Sequence, residues 1–180
     1  QALELLIELD KLNINIDFID MGGGLGVNYV GEETPQPFEL IQIYENIFEG
    51  RNETLILEPG RSISANAGIM LAKVEYKKDN FIITDAAMND LLRPALYDAH
   101  HDVWPVIKND NPTSRVNVVG PICETGDFLA KDINIAASEN DLLAVKTVGA
   151  YGSVMSSNYN SRPRAAEVLV DKKNFYLIRK

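Results

Sequence analysis

The hydrophobic pattern of the chain changes character near residue 68, and this change limits the possible folds more than any other feature. Before it, helical and strand patterns alternate: helices are predicted over 1–12 and 38–50, and strands over 15–20 and 54–58. Helices and strands that alternate at this spacing predict an α/β fold with parallel strands.

Beyond residue 68 strand patterns predominate. A hairpin is predicted around residues 78–80, with short helical pieces near 89–101 and 150–157. Further strands are predicted over 115–120, 132–136, 141–149, 164–170 and 174–179. We therefore expect an α/β plus all-β chain, with an α/β domain over 1–68 and a β-domain over 69–180.

Charge and cysteine content narrow the function classes. The formal net charge is −9 at pH 7, which argues against nucleic acid and anionic membranes as partners, since both need a positive surface. No apolar run is long enough to span a bilayer. The single cysteine, Cys123, excludes an internal disulfide and favours a reducing compartment, the cytoplasm. The first residues have helical periodicity but no N-cap and no initiator Met, so we expect a longer protein.

A glycine-rich loop follows the first predicted strand. Its sequence, GGGLG, occupies residues 22–26. A loop of this kind between a strand and a helix can direct backbone N–H groups at an anion, assisted by the helix N-terminus. It is not a dinucleotide fingerprint, because the third glycine would fall on Val27, and it lacks the Lys-Ser/Thr ending of a P-loop. A phosphate site and a plain tight turn both remain possible.

The segment EPGRS, residues 58–62, follows the second predicted strand. In α/β barrels the carboxyl ends of the strands carry the active site. Pro59 and Gly60 predict a turn that projects Arg61, with Glu58 at the strand tip. A solvated surface turn is the alternative interpretation.

In NDLLRPALYDAHH, Arg93 and Tyr97 are four residues apart. On a helix they would share a face and could both bind one carboxylate, and Pro94 suits the first helical turn. The alternative is a surface Arg and a half-buried Tyr. His100 and His101 are adjacent, so on a helix they would point about 100° apart and do not predict a metal site.

Two later segments offer further polar groups. In GPICETGD, Cys123 could donate a proton and Glu124 could bind an ammonium group, although a lone cysteine is often a small core residue. In AYGSVMSS, the hydroxyl of Tyr151 could reach a phosphate or a substrate, or the side chain could belong to the core.

Five segments occur in a fixed order: DMGGGLGVNY, EPGRS, MNDLLRPALYDAHH, GPICETGD and AYG…NYNSRPRAAEVLV. This ordered set resembles the C-terminal part of the diaminopimelate decarboxylases, which depend on pyridoxal 5'-phosphate and have the alanine racemase fold. The resemblance covers nearly the whole chain. It implies the last part of a pyridoxal-phosphate-binding (β/α)8 barrel, followed by a β-sandwich or barrel-like domain. It further implies a homodimer with shared active sites, which converts meso-diaminopimelate to L-lysine and carbon dioxide.

The resemblance also implies roles for individual residues. The residues implied to cradle the cofactor phosphate are Gly22, Gly23 and Gly24. The residues implied to lie along the cofactor are Glu58, Pro59, Gly60 and Arg61, with Glu58 near the pyridine nitrogen. The residues implied to bind the distal carboxylate of the substrate are Arg61, Arg93 and Tyr97.

Two implied residues would act in the site of the partner subunit. Cys123 would be the catalytic proton donor there, and Glu124 would bind the distal amino group. Tyr151 would contact both cofactor and substrate. No metal is implied.

The chain departs from the family pattern in identifiable ways. The lysine that forms the Schiff base belongs to an early barrel strand and is not in this sequence, so these 180 residues are not expected to form the complete site alone. Ala87 and Thr125 stand where the family usually has glycine and serine.

Three alternatives remain open. One is an ornithine or arginine decarboxylase of the same fold, although such enzymes typically have Asp after the cysteine. Glu124 and the pair of Arg93 and Tyr97 favour diaminopimelate. The others are a non-catalytic relative that binds a partner through its β-domain, and an α/β protein with an unrelated anion site.

Overall fold

The computed structural model describes residues 1–108 and 110–180, and the chain divides into two compact units, Gln1–Ile63 and Ser64–Lys180. The elements of the first unit are α1 (Ala2–Lys11), β1 (Phe18–Asp20), α2 (Pro37–Ile47) and β2 (Thr54–Ile56). A short helix, α3 (Gly60–Ser64), follows β2 and reaches the boundary between the units.

Strands β1 and β2 form a parallel pair, in which Phe18 lies opposite Thr54 and Asp20 opposite Ile56. The predicted alternation of helices with parallel strands is therefore confirmed. Both strands are shorter than predicted. The predicted strand over 15–20 contributes only its last three residues to the pair.

The first unit has a small core and many exposed apolar side chains. The buried residues of this core are Leu6 of α1, Ile19 of β1 and Phe48, which follows α2. Several large apolar residues of the two helices are exposed: Leu5, Ile7, Phe38, Ile41, Ile43 and Ile47. Two short strands and two helices bury only part of the apolar surface that this sequence carries.

The second unit is built mainly of strands. They are β3 (Met70–Lys78), β4 (Phe81–Thr84), β5 (Val103–Pro105), β6 (Ser114–Val119), β7 (Phe128–Ile135), β8 (Leu142–Val145), β9 (Glu167–Asp171) and β10 (Asn174–Arg179). Helix α4 (Arg93–Tyr97) lies between β4 and β5 in the chain. Short 3₁₀ helices occupy Ala65–Ala67, Ser153–Met155 and Tyr159–Ser161.

Six of these strands form one mixed sheet in the order β5-β8-β3-β4-β6-β7. The β4–β6 pair is parallel, and the other neighbours are antiparallel. Alternate strand positions point into one apolar core, because side chains of a strand alternate between its two faces. Fully buried members of this core include Val74, Ile82, Val118, Leu129 and Leu143.

The predicted hairpin is confirmed as β3–β4. Asp79 in its turn has a φ of 52°, a left-handed conformation that Asp tolerates better than most residues. The remaining strands, β9 and β10, form a separate hairpin whose large apolar residues are all exposed: Val168, Leu169, Val170, Phe175, Tyr176, Leu177 and Ile178.

Predicted elements of the second unit also differ in extent. The strand predicted over 141–149 ends at Val145, because Thr147 has a φ of 58° and turns the chain out of the sheet. The helical segment predicted near 89–101 is confined to α4, because Asp98 takes a φ of 51° immediately after it. His100 and His101 consequently do not lie on a helix.

The edge of the sheet carries an aromatic contact. The Lys146 ammonium lies 3.6 Å from the ring centroid of Trp104, a residue of β5 that is 56% exposed. The Lys146 N–H donates to the Asp102 carbonyl at 2.8 Å, so the β5–β8 pairing continues past the strand ends. In the described part of the chain, every helix is too short or too polar to cross a membrane.

Candidate functional site

Backbone hydrogen bonds hold the glycine loop against the EPGRS segment. The N–H of Met21 donates to the Ile56 carbonyl at 3.0 Å, and the N–H of Glu58 donates to the Gly22 carbonyl at 2.9 Å. The parallel pairing of β1 and β2 therefore continues one step beyond the strands. It brings together Gly22 and Glu58, two of the predicted site residues.

The backbone geometry explains why each of the three consecutive positions is glycine. Gly22 and Gly24 have φ values of 68° and 88°, which other residues rarely adopt. At Gly23, a side chain would overlap the carbonyl oxygen of Glu58. The loop can approach the EPGRS segment this closely only because residue 23 has no Cβ.

The donors of this loop divide into two groups. The N–H of Gly22 donates to Asp20 Oδ1 at 2.7 Å. Across residues 1–108 and 110–180, no acceptor pairs with the N–H of Gly23 or Gly24. The space on the Cβ side of Gly24 is open. The helix N-terminus expected beside the loop does not follow it directly, since α2 begins only at Pro37.

The EPGRS segment forms the expected turn and continues into α3. The N–H of Gly60 donates to the Glu58 carbonyl at 2.8 Å, and Ser62 Oγ donates to the Pro59 carbonyl at 2.9 Å. Arg61 lies half-buried on α3, and Glu58 is exposed. These five residues and the glycine loop belong to the first unit. The other predicted site residues belong to the second unit.

Arg93 begins α4, with Pro94 in the first turn as predicted. The Arg93 side chain is buried, whereas Tyr97 is 63% exposed. The guanidinium carbon of Arg93 lies 5.9 Å from the centroid of the Tyr151 ring. The structure therefore brings Arg93 and Tyr151 together, and it places Tyr97 in a more exposed environment.

The same guanidinium contacts a residue that the sequence did not single out. Arg93 Nη1 lies 3.0 Å from His101 Nε2, and His101 Nδ1 lies 2.9 Å from the Lys146 carbonyl oxygen. Burial of the imidazole lowers the pKa of His101, and the nearby positive charge of Arg93 lowers it further. The neutral form of His101 is therefore favoured at pH 7.

The loop of residues 120–127 carries Cys123 and Glu124 on its exposed side and is fixed by a buried carboxylate. Asp127 Oδ1 accepts the N–H of Met88 at 2.7 Å, and Oδ2 accepts the N–H of Ile122 at 2.8 Å. Asp127 is 3% exposed. It therefore fixes the backbone directly before Cys123. A sequence signal existed, because Asp that closes a Gly-containing loop often accepts backbone N–H groups.

Two further residues, which the sequence did not single out, contact a predicted site residue or the segment before α4. The hydroxyl of Tyr159 donates to Glu124, and this hydrogen bond to the carboxylate raises the pKa of Tyr159. Arg162 Nε donates to Asn89 Oδ1 at 3.0 Å, and its Nη2 donates to the Asp85 carbonyl. Arg162 thus holds the segment that leads into α4.

Tyr97 lies near the loop that carries Cys123. It lines a shallow surface groove with Thr125, Gly126 and Phe128. Lys131, at the edge of the same groove, forms a 2.7 Å ion pair with Asp98. Throughout residues 1–108 and 110–180, no three His, Cys, Asp or Glu side chains are grouped as metal ligands.

Comparison with known proteins shows which family and which relatives this chain is similar to. Residues 14–149 match the family described as the pyridoxal-dependent decarboxylase C-terminal sheet domain. The chain is 54% identical to the diaminopimelate decarboxylase of Pseudomonas aeruginosa over 187 residues, which cover 99% of this chain and 45% of that protein. The chain thus spans less than half the length of this curated relative.

Solved structures show the same similarity. The diaminopimelate decarboxylase of Helicobacter pylori, in complex with L-lysine, is 42% identical and superposes with a TM-score of 0.92 over 99% of this chain and 45% of that one. The M. jannaschii enzyme, also in complex with L-lysine, is 36% identical, with a TM-score of 0.93 over 99% of this chain and 43% of that one.

Proposed function

The chain belongs to the family of pyridoxal-dependent decarboxylases, as their C-terminal sheet domain, and we propose that the protein containing it converts meso-diaminopimelate to L-lysine and carbon dioxide. The proposed cofactor is pyridoxal 5'-phosphate. The observation that carries the proposal is the buried Arg93 guanidinium beside Tyr151, in a chain 54% identical to a diaminopimelate decarboxylase. A buried guanidinium suits a substrate that has a second carboxylate.

The proposal includes a role for each unit. The first unit, with its parallel strands and flanking helices, would be the last part of a (β/α)8 barrel, with residues 1–68 as the barrel part. Residues 69–180 would be the β-domain. The similar Pseudomonas protein is more than twice as long as this chain, which supports placing the rest of the barrel and its Schiff-base lysine outside these 180 residues.

The glycine loop fits a phosphate group. The N–H groups of Gly23 and Gly24 are available as donors, and the absence of a side chain at Gly24 leaves room for an oxyanion. Glu58 supplies a carboxylate for a pyridine nitrogen. The residues proposed to line the remainder of the cofactor are Pro59, Gly60, Arg61 and Tyr151. When bound, pyridoxal phosphate would supply an electron sink for the electron pair that stays on the substrate carbon when carbon dioxide leaves.

The residues of this chain would then bind the substrate and supply a proton. Arg61, Arg93 and Tyr97 bind the distal carboxylate, and Glu124 binds the distal ammonium group. The thiol of Cys123 delivers its proton to the carbon that has lost its carboxylate. In this proposal the protein is a cytoplasmic homodimer, in which Cys123 and Glu124 complete the site of the partner subunit.

An ornithine or arginine decarboxylase is the second candidate. Such a substrate ends in a cation, and burying it beside the Arg93 guanidinium would place two positive charges together. A carboxylate after the cysteine could bind the terminal cation of either substrate, although Glu rather than Asp at this position agrees with diaminopimelate. Arg93 therefore favours diaminopimelate, whereas a non-catalytic relative would require neither residue.

The test is an assay of the full-length protein with added pyridoxal phosphate. We expect carbon dioxide and lysine from meso-diaminopimelate, and no turnover of ornithine or arginine. The Arg93→Leu variant is expected to lose diaminopimelate turnover while keeping the cofactor absorbance. Turnover of ornithine without turnover of diaminopimelate, or no turnover at all, would contradict the proposal.

A further inference from the structure

His101 occupies a buried position between the predicted substrate-binding arginine and the main chain of the sheet. Only 1% of its surface is exposed. One ring nitrogen, Nε2, lies 3.0 Å from Arg93 Nη1, and the other, Nδ1, lies 2.9 Å from the Lys146 carbonyl oxygen. Each ring nitrogen is therefore within hydrogen-bond distance of a partner that can act only as a donor or only as an acceptor.

Those partners determine the tautomer. A carbonyl oxygen only accepts hydrogen bonds, so the proton must be on Nδ1. A guanidinium only donates, so Nε2 must present its lone pair to Arg93. Both contacts are satisfied only by a neutral imidazole, because a protonated ring would direct an N–H at the guanidinium and add a second positive charge.

The main chain that fixes His101 is part of the sheet. Lys146 follows the last residue of β8, and Val103 of β5 pairs with Val145 of β8. The N–H of Lys146 donates to the Asp102 carbonyl at 2.8 Å. His101 therefore connects the guanidinium end of a long side chain, that of Arg93, to paired strands.

We infer that His101 is a positioning residue, which holds the Arg93 guanidinium in the orientation that binds the distal carboxylate of the substrate. An arginine side chain has several rotatable bonds, and a fixed acceptor at one nitrogen reduces the freedom lost on binding. The acceptor is uncharged. It therefore orients the guanidinium without neutralising it, whereas a carboxylate in the place of His101 would compete with the substrate.

This inference rests on the proposed function, since it assigns Arg93 to the distal carboxylate. Two variants of the full-length holoenzyme separate positioning from packing. In His101→Gln, the amide oxygen can reach the position of Nε2 and accept from Arg93. In His101→Asn, the shorter amide can still donate to the Lys146 carbonyl but does not reach Arg93.

We expect His101→Asn to raise the KM for meso-diaminopimelate about tenfold, the effect of one lost hydrogen bond to a charged group. The KM of His101→Gln is expected to stay within about threefold of the wild type. The kcat and the cofactor absorbance should change little in both variants. Equal increases of KM in both variants, with equal losses of stability, would mean that His101 has only a packing role. An unchanged KM in His101→Asn would also contradict the inference.

A measurement on the wild type keeps the inference testable if both variants misfold. The ¹⁵N chemical shifts of the His101 imidazole, assigned by selective labelling, are expected to show a neutral ring protonated at Nδ1. A ring protonated at Nε2, or at both nitrogens, would contradict it. These outcomes differ from a failure of the proposed function, in which the wild-type holoenzyme would not turn over diaminopimelate.

Discussion

Replacing the buried carboxylate of Asp127 by an amide should loosen the loop that carries Cys123. The carboxylate accepts two backbone N–H groups, from Met88 at 2.7 Å and from Ile122 at 2.8 Å. In Asp127→Asn only one oxygen remains, so one of these donors would face an NH₂ group. Because Asp127 is 3% exposed, water cannot readily replace the lost acceptor.

These contacts determine the expected free-energy cost of Asp127→Asn. A buried donor left without an acceptor costs about 1 to 3 kcal/mol, and the remaining bond loses about 1 kcal/mol when its acceptor becomes neutral. The sum is about 2 to 4 kcal/mol. For local opening of the loop, this corresponds to amide exchange about thirty to several hundred times faster.

Hydrogen exchange measured by mass spectrometry on the full-length holoenzyme checks the estimate, in peptides that cover residues 86–90 and 120–127. The matched control is Asp98→Asn. Asp98 also pairs with a partner, Lys131 at 2.7 Å, but its side chain is 82% exposed, so solvent already screens this pair and its loss should change the exchange rates little. If Asp127→Asn and Asp98→Asn give the same exchange within about twofold, the reasoning about burial is refuted.

The other predictions concern the glycine loop, His101 and the shared site. Gly23→Ala should destabilise the protein by about 1 to 3 kcal/mol, because the added Cβ would overlap the Glu58 carbonyl, whereas Gly26→Ala, which has open space, should change it by less than about 0.5 kcal/mol. Urea midpoints that shift equally in the two variants would contradict this prediction. The pKa of His101 in the folded state is below its unfolded value of about 6.5, so its contribution to stability is present above about pH 6.5 and is lost as the pH falls below that value. The urea midpoint of the wild type should therefore fall between about pH 7.5 and 5.5 more steeply than that of His101→Gln, and equal slopes would argue against the lowered pKa. Mixing subunits that carry Cys123→Ala with subunits that carry Arg93→Leu should restore about a quarter of the wild-type activity, since half of the dimers would be mixed and each would have one intact site. No recovery would exclude sites shared across a homodimer.

The sequence was sufficient for elements whose signals are local. The alternation of helix and parallel strand, the β3–β4 hairpin and the position of Pro94 in α4 all depend on neighbouring residues, and all three are confirmed. The membership of the family was also predicted from the order of five motifs, and the match over residues 14–149 confirms it.

What the sequence did not reveal depends on contacts between distant residues. His101 lies 45 positions before the carbonyl that fixes its tautomer, and Asp127 lies 39 positions after Met88. A helical segment is predicted to include the two histidines, but the left-handed conformation of Asp98 ends α4 before them. Arg93 is buried and Tyr97 is exposed although both belong to α4, and this difference in exposure also arises from tertiary packing. The catalytic and binding roles of the individual residues stay predictions.

The aromatic contact at the sheet edge gives this chain a spectroscopic reporter. Trp104 is its single tryptophan, so all indole emission from the chain originates at one point on β5. The ammonium that covers this ring belongs to Lys146, whose carbonyl accepts from His101. Fluorescence from these 180 residues therefore monitors the strand edge that supports the Arg93 guanidinium, without any label attached to the protein.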